Sequence, residues 1–497
     1  MKQQLKQLSG DTVVYGVTTI LQRFLSFILT PFYTHFLIPE QLGLQTNIFV
    51  VISFLMVLAN AGMESAFFRY YSIAETDEEK KLTYWNALTT TWLVGGIIGL
   101  FIIIFPETFN SLAYLKVPIN QFYLLRYAGI IIFLDVAAGI TLALLRMTKN
   151  AKKFGTIKIL SIVVNVLLNI FLLVVVKMSI EGVFIANIIQ SAVQLILTLG
   201  YMHTMMPAKY EGKLLNEMAK FGVPTIASGI SAMVLQNIDR PIMQVLKGSA
   251  AVGQYQASYR LGMFMMIFVS MFEFAWRPFF LQQSKKPNAK NLFSKIFTYF
   301  NLIGSALFLF ISLFIVTLAT YPIPFTNGKT VIAQIYWQGL YIVPIVLLSY
   351  LFNGWYTNFI VGIYIQKKTK TLPIITAVAA STEAILCFLF IPIFSIIGGA
   401  YATLGGYIVM SLGVYFYIQK HYFIEYEWRR ILYNYIIVLT LWLTNYFLFD
   451  LMDISYKSLI TKLILVLLYP ICLFIFRFFH ENEMKEIKII FNRFKNN

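Results

Sequence analysis

The chain has 497 residues, 59% of them hydrophobic and 12% charged, with a mean hydropathy of +0.73; an ordinary soluble protein carries about twice that charged fraction. Apolar runs near 20 residues recur from end to end, the length that crosses a hydrocarbon core, and the short alternating segments of a β-barrel are absent. The composition therefore predicts an all-α polytopic membrane protein, and the net charge of +17 has to be explained within that class.

Met1 to Ser9 is polar and basic. The apolar segment after it is too long for a signal h-region and lacks a small-residue cleavage site, so the first span is expected to stay in the protein. Fourteen spans are expected, at about 11–36, 43–63, 84–105, 122–145, 155–176, 182–203, 221–246, 253–275, 293–319, 335–360, 371–391, 398–418, 431–449 and 458–478. An even number puts both termini on one side. With the N-terminus in the cytoplasm, the inward segments hold 29 Lys and Arg and the outward loops 6. This positive-inside bias sets the topology and accounts for the basic charge without nucleic acid.

No connection is long enough for a soluble domain. The expected organisation is a six-helix lobe over 1–206, an amphipathic cytoplasmic linker at 207–220 and a second six-helix lobe over 221–420. Two further transmembrane helices follow at 421–480, then a basic cytoplasmic tail at 481–497. The tail places Met484, Ile487, Ile490, Phe491 and Phe494 at helical spacing, which suits a helix on the inner leaflet and equally a solvated tail.

The two halves share a short repeat. Pro31 and Gly43 are twelve apart at the end of the first span, as are Pro241 and Gly253 at the end of the seventh. The following spans close on Glu64 to Arg69 and on Glu273 to Arg277. Six spans separate the copies, so the repeat is parallel, with two similar lobes around a cavity, as in a transporter.

Ionisable residues inside spans mark pathways by default. Gln236, Arg240 and Gln244 fall at i, i+4 and i+8. Asp239, about 100° from Arg240 on a helical wheel, need not pair with it. On the eighth span Gln256 and Arg260 are four apart, flanked by Tyr255 and Tyr259; Arg23 falls near mid-membrane on the first span. Arginine offers phosphate a permanent charge and bidentate donors; the alternative is that these arginines pair with Asp239, Asp135 or Glu273 between helices. Tyrosines beside a polar cavity could stack on sugar rings. Asp239, Asp135 and Glu383 are candidates for coupling to H+ or Na+, whereas Glu64 and Glu273 read as salt-bridge partners of Arg69 and Arg277. Two cysteines and four scattered histidines form neither a disulfide framework nor a metal constellation. No catalytic grouping or phosphate-binding glycine loop is present, so the chain reads as a non-enzyme with no cofactor beyond a possible coupling ion.

Three segments carry a resemblance to a known family. They are Gly16 to Phe27 with Arg23, leading to Pro31 and Gly43; Asn237-Ile-Asp-Arg-Pro241 followed by Val252 to Arg260; and Trp276-Arg-Pro278. In these the chain resembles the bacterial polysaccharide (O-antigen type) flippases of the multidrug/oligosaccharidyl-lipid/polysaccharide exporter superfamily. The resemblance implies alternating access that moves an undecaprenyl-diphosphate-linked oligosaccharide from the inner to the outer leaflet of the bacterial cytoplasmic membrane. Polysaccharide polymerase and other glycan-assembly proteins are implied partners. In the related lipid II flippases, arginines of the first and eighth spans contact the diphosphate, which by position implies Arg23 and Arg260; this chain has Phe27 or Thr30 where those relatives carry a second basic residue. A cation-coupled multidrug exporter of the same superfamily is the alternative. A membrane glycan polymerase or ligase would call for a large outer loop that is missing.

Overall fold

The computed structural model describes residues 21, 24, 27–206, 210–323, 328–449, 453–481, 483 and 484. Among them are sixteen α-helices and no strand. The first half holds α1 (Pro39–Ala59), α2 (Met63–Ile73), α3 (Asp77–Ile104), α4 (Pro106–Leu112), α5 (Tyr123–Met147), α6 (Ala151–Ile170) and α7 (Ile180–Thr204). After it come α8 (Gly212–Asn237), α9 (Asp239–Lys247), α10 (Ser249–Gln283), α11 (Ala289–Thr320) and α12 (Val343–Ile365). The chain continues with α13 (Thr371–Phe394), α14 (Ile396–Gln419), α15 (Trp428–Leu448) and α16 (Tyr456–Ile475). Thirteen segments among the described residues are long and apolar enough to cross a membrane, one for each expected span from the second to the fourteenth. The expected first span, 11–36, lies mostly outside the described residues; its end, 27–36, is helical. The chain is thus a multi-pass membrane protein. The basic tail lies outside the described residues from 485 on, and the linker expected at 207–220 is, from Gly212, the opening of α8.

Local chemistry sets the helix ends. Thr76 caps α3: its Oγ1 accepts from the Glu79 N–H at 3.2 Å and the Glu79 carboxylate accepts from the Thr76 N–H at 3.5 Å, while acids in the first turn face the positive end of the helix dipole. α1 starts on Pro39, where a missing N–H costs no helical bond. α1 and α2 are separated by Ala61 and Gly62, both with positive φ. There the Gly62 backbone lies against Gly222 of α8, too close for a side chain on either.

The chain forms two compact units. One contains the described residues up to Arg260 with Ile335–Ile342 and Thr369–Met410; the other contains Leu261–Gln334, Val343–Lys368 and the chain from Ser411 onward. The core of the first unit gathers Phe67, Tyr84, Leu88, Met202 and Met218 from α2, α3, α7 and α8, with the Tyr84 and Thr141 hydroxyls 2.8 Å apart. In the second, Asn301 Oδ1 accepts from Trp355 Nε1 at 2.6 Å and from the Tyr435 hydroxyl at 2.8 Å. Tyr469 donates to Asn434 Oδ1 at 2.7 Å. These bonds, with the edge-on and tilted ring contacts among Phe297, Trp355, Phe359 and Trp428, tie α15 and α16 to α11 and α12. Helices in lipid gain no hydrophobic drive toward each other, so packing and such bonds hold them together.

The repeated corner has a structural counterpart inside the first unit. α1 begins eight residues after Pro31 and α10 eight residues after Pro241. A Cβ at Gly43 would run into the Ser249 carbonyl at the start of α10, and one at Gly253 into the Pro39 carbonyl at the start of α1. The two copies therefore pack on each other reciprocally, backbone to backbone, through their glycines.

Candidate functional site

The site grows from the break between α8 and α9. Pro241 has no N–H, so the Asn237 carbonyl loses its helical donor. The Arg240 N–H turns instead to Asp239 Oδ1 at 2.9 Å, which leaves the Gln236 carbonyl open as well. The Arg240 guanidinium fills that gap, with Nη1 donating to the Gln236 carbonyl at 2.7 Å and to Asp239 Oδ1 at 2.8 Å. Asp239 and Arg240 therefore pair, although a helical wheel sets them about 100° apart. The break puts Asp239 at the start of a new helix, and the long Arg240 side chain folds back onto it.

The remaining valences of this pair are filled from other helices. Arg240 Nε donates to Gln256 Oε1 at 3.0 Å, and the Tyr259 ring lies 4.2 Å from the guanidinium carbon, a cation–π contact. Asp239 Oδ2 accepts from the Tyr255 hydroxyl at 2.6 Å and from Thr403 Oγ1 at 3.3 Å. Thr403 also lies 3.2 Å from Glu383 Oε1. Glu383 is buried, and among the described residues its Oε2 has no hydrogen-bond partner. The cluster thus holds one guanidinium and two carboxylates, all buried; with both acids ionised it is one positive charge short.

Beside this cluster lies a cavity of about 360 Å³. Leu29 and Tyr33 of the first span line it together with Arg240, Gln256 and Arg260. No Asp, Glu, Lys or His is among its described lining residues. Arg260 differs from Arg240. Among the described residues it has no carboxylate and no hydrogen-bond partner, and its guanidinium carbon lies 5.5 Å from the centre of the Tyr33 ring.

The chain matches the family of polysaccharide biosynthesis proteins over residues 8–284, more than half its length. It belongs to that family. No curated protein matches the chain, but solved structures share its fold. The lipid II flippase MurJ, in its inward closed conformation, aligns with a TM-score of 0.74 and 17% identity over 93% of this chain and 98% of that one. An inward-facing multidrug resistance MATE family transporter of the MOP superfamily aligns at 0.66 and 14% identity, over 80% and 94%. The Vibrio cholerae MATE transporter VcmN aligns at 0.56 and 17%, over 84% and 96%.

Within this polysaccharide biosynthesis protein the expected site residues separate into groups. Arg240, Arg260 and Gln256 line the cavity. Tyr255 and Tyr259 are buried and brace the Asp239–Arg240 pair, and Gln236 contributes its carbonyl while remaining exposed itself. Gln244 points elsewhere, to Asn47 at 2.8 Å, Ser249 at 2.9 Å and the Leu115 carbonyl at 3.3 Å. Arg23 lies outside the described residues. Asp135 lies within the electrostatic reach of Ser191 and Lys158, and the Lys158 Nζ donates to Gln194 at 2.8 Å. Glu273 pairs with Arg277 at 2.6 Å, whereas Glu64 pairs with Arg146 and not Arg69, because α5 ends beside α2. Sequence reasoning passed over Gln45, Asn165 and Thr403. Their only trace in the sequence is an uncharged polar residue inside an apolar span.

Proposed function

We propose that this chain is a flippase that moves an undecaprenyl-diphosphate-linked oligosaccharide, an O-antigen, capsule or exopolysaccharide repeat unit, from the inner to the outer leaflet of the bacterial cytoplasmic membrane by alternating access. The observation that carries the reading is Arg260, an arginine in a cavity with no carboxylate among its described lining residues and, among the described residues, with the Tyr33 ring beside it but no carboxylate and no hydrogen-bond partner. An unpaired guanidinium in a low-dielectric setting is costly to hold, and a diphosphate is the anion whose geometry it fits. Arg240 supports from the cavity wall with its charge already shared with Asp239. The lipid tail stays in the bilayer, the basic loops put both termini in the cytoplasm, and a polymerase or other glycan-assembly protein receives the product. The chain acts as a transporter and not an enzyme.

Asp239 and Glu383 supply a place for one coupling H+ or Na+, since the cluster lacks one positive charge; Asp135 already feels the charge of Lys158. That cluster also favours the second reading, a cation-coupled multidrug exporter. A cationic drug, however, would meet two arginines in the cavity. In cells, Arg260→Ala at wild-type protein level is expected to abolish surface polysaccharide. Normal export by that variant would overturn the site assignment, and export of cationic dyes by the wild type in place of polysaccharide would favour the second reading.

A further inference from the structure

The cavity has a second wall, made of amides, that the diphosphate does not explain. The Tyr33 hydroxyl donates to Asn169 Oδ1 at 3.1 Å. Asn169 Nδ2 then donates to Asn165 Oδ1 at 3.1 Å. The relay has a direction: with both oxygens engaged, the free end of Asn165 is its Nδ2, a donor. That atom has no hydrogen-bond partner among the described residues, although Asn165 is only 7% exposed and lines the cavity. On the same cavity Gln45 is 4% exposed, and its Oε1, an acceptor, is likewise without a partner. A buried polar atom left unpaired carries its full desolvation penalty, and native structures rarely keep one without a use.

Resting on the flippase reading above, we propose that Asn165 and Gln45 read the sugar of the cargo and take an acetamido group. Asn165 Nδ2 donates to the acetamido carbonyl, and Gln45 Oε1 accepts its N–H. An acetamido group supplies a fixed acceptor and a fixed donor, whereas a lone hydroxyl has one oxygen to serve both. Tyr33 links the two subsites: its ring lies beside Arg260 while its hydroxyl sets the direction of the relay. Tyr33 is a positioning residue, and Asn165 and Gln45 determine specificity.

The test uses the full chain in liposomes with two probes, undecaprenyl diphosphate carrying either N-acetylglucosamine or glucose. The wild type is expected to move the acetamido probe about tenfold faster, the worth of one good hydrogen bond. Asn165→Leu and Gln45→Met are expected to bring the ratio close to one at an unchanged or higher melting temperature, because each removes an unpaired buried group. Tyr33→Phe lowers the ratio in the same direction, and Arg260→Ala slows both probes alike. Equal rates for the two probes in the wild type, an unchanged ratio in both amide variants, or parallel loss of both rates with a falling melting temperature would each overturn the assignment while leaving the flippase reading standing. A wild type that moves neither probe would overturn the flippase reading, and this assignment with it.

Discussion

The two polar clusters beside the cavity solve the problem of burial in opposite ways. The relay Tyr33–Asn169–Asn165 is neutral and ends on an unspent donor. The cluster Asp239–Arg240–Thr403–Glu383 is charged, and nearly every atom in it is spent on another member or on Tyr255, Gln256 and the Gln236 carbonyl. A neutral amide left half-satisfied costs less than an unpaired charge, so it can wait for a ligand that offsets it. Charges in the same setting must be compensated internally or by an ion. On the proposed flippase reading, cargo recognition would fall to the amide wall and Arg260, and coupling to the carboxylates.

The largest break in this contrast comes from Asp239→Asn. It leaves Arg240, whose side chain is 5% exposed, buried with a carboxylate taken away, and removing one partner of a buried pair costs about 3–5 kcal/mol. A loss of unfolding free energy of that order, with a lower denaturation midpoint, is expected, larger than for any amide variant of the relay. A midpoint like that of the wild type would show that Arg240 does not depend on Asp239.

The spans were legible in the sequence because hydropathy over 20 residues is a strong one-dimensional signal. The corner repeat was legible because Pro and Gly mark backbone geometry. Arg240, Arg260 and Glu383 stood out as charges in apolar runs. The pairing of Asp239 with Arg240 was not legible, since it depends on a helix break that a wheel drawn through Pro241 ignores. Asn165 and Gln45 were missed because an amide in a span is common and its unpaired state exists only in three dimensions. Thr403 is 164 residues from Asp239, and nothing local joins them.

A middle-sized probe is Gly253→Ala, which pushes a methyl into the Pro39 carbonyl. Overpacking of that kind costs about 1–3 kcal/mol. Because Gly43 meets Ser249 in the reciprocal way, Gly43→Ala is expected to match it in thermal stability. Unequal losses in the two variants would show that the corners are not equivalent.

Acidification is the mildest probe and sharpens the contrast from outside the membrane. Burial raises the Glu483 carboxyl, but the His480 N–H, the Tyr299 hydroxyl and Arg430 outweigh it and hold it below its ordinary range. Arg430 Nη2 donates to Glu483 at 2.9 Å and its Nη1 to Glu427 at 2.8 Å. A lowered carboxylate stabilises fully above its unfolded value, about 4.3, and loses that contribution as pH falls through the native value. The hydrogen-exchange protection of residues 478–481, relative to the intrinsic rate at each pH, is therefore expected to hold from neutral pH down to about pH 4 and to fall only below it. A loss of protection already at pH 6 would contradict the role given to the Arg430–Glu483 ion pair.

The most direct measurement is transfer of undecaprenyl-diphosphate-linked sugar between the leaflets of liposomes that contain the purified chain. The wild type should move it, and Arg260→Ala, folded and equally stable, should be slower by roughly a hundredfold, the loss of a charge-assisted contact. Arg260→Lys should recover part of the rate. Equal transfer by wild type and Arg260→Ala would contradict a diphosphate site at Arg260.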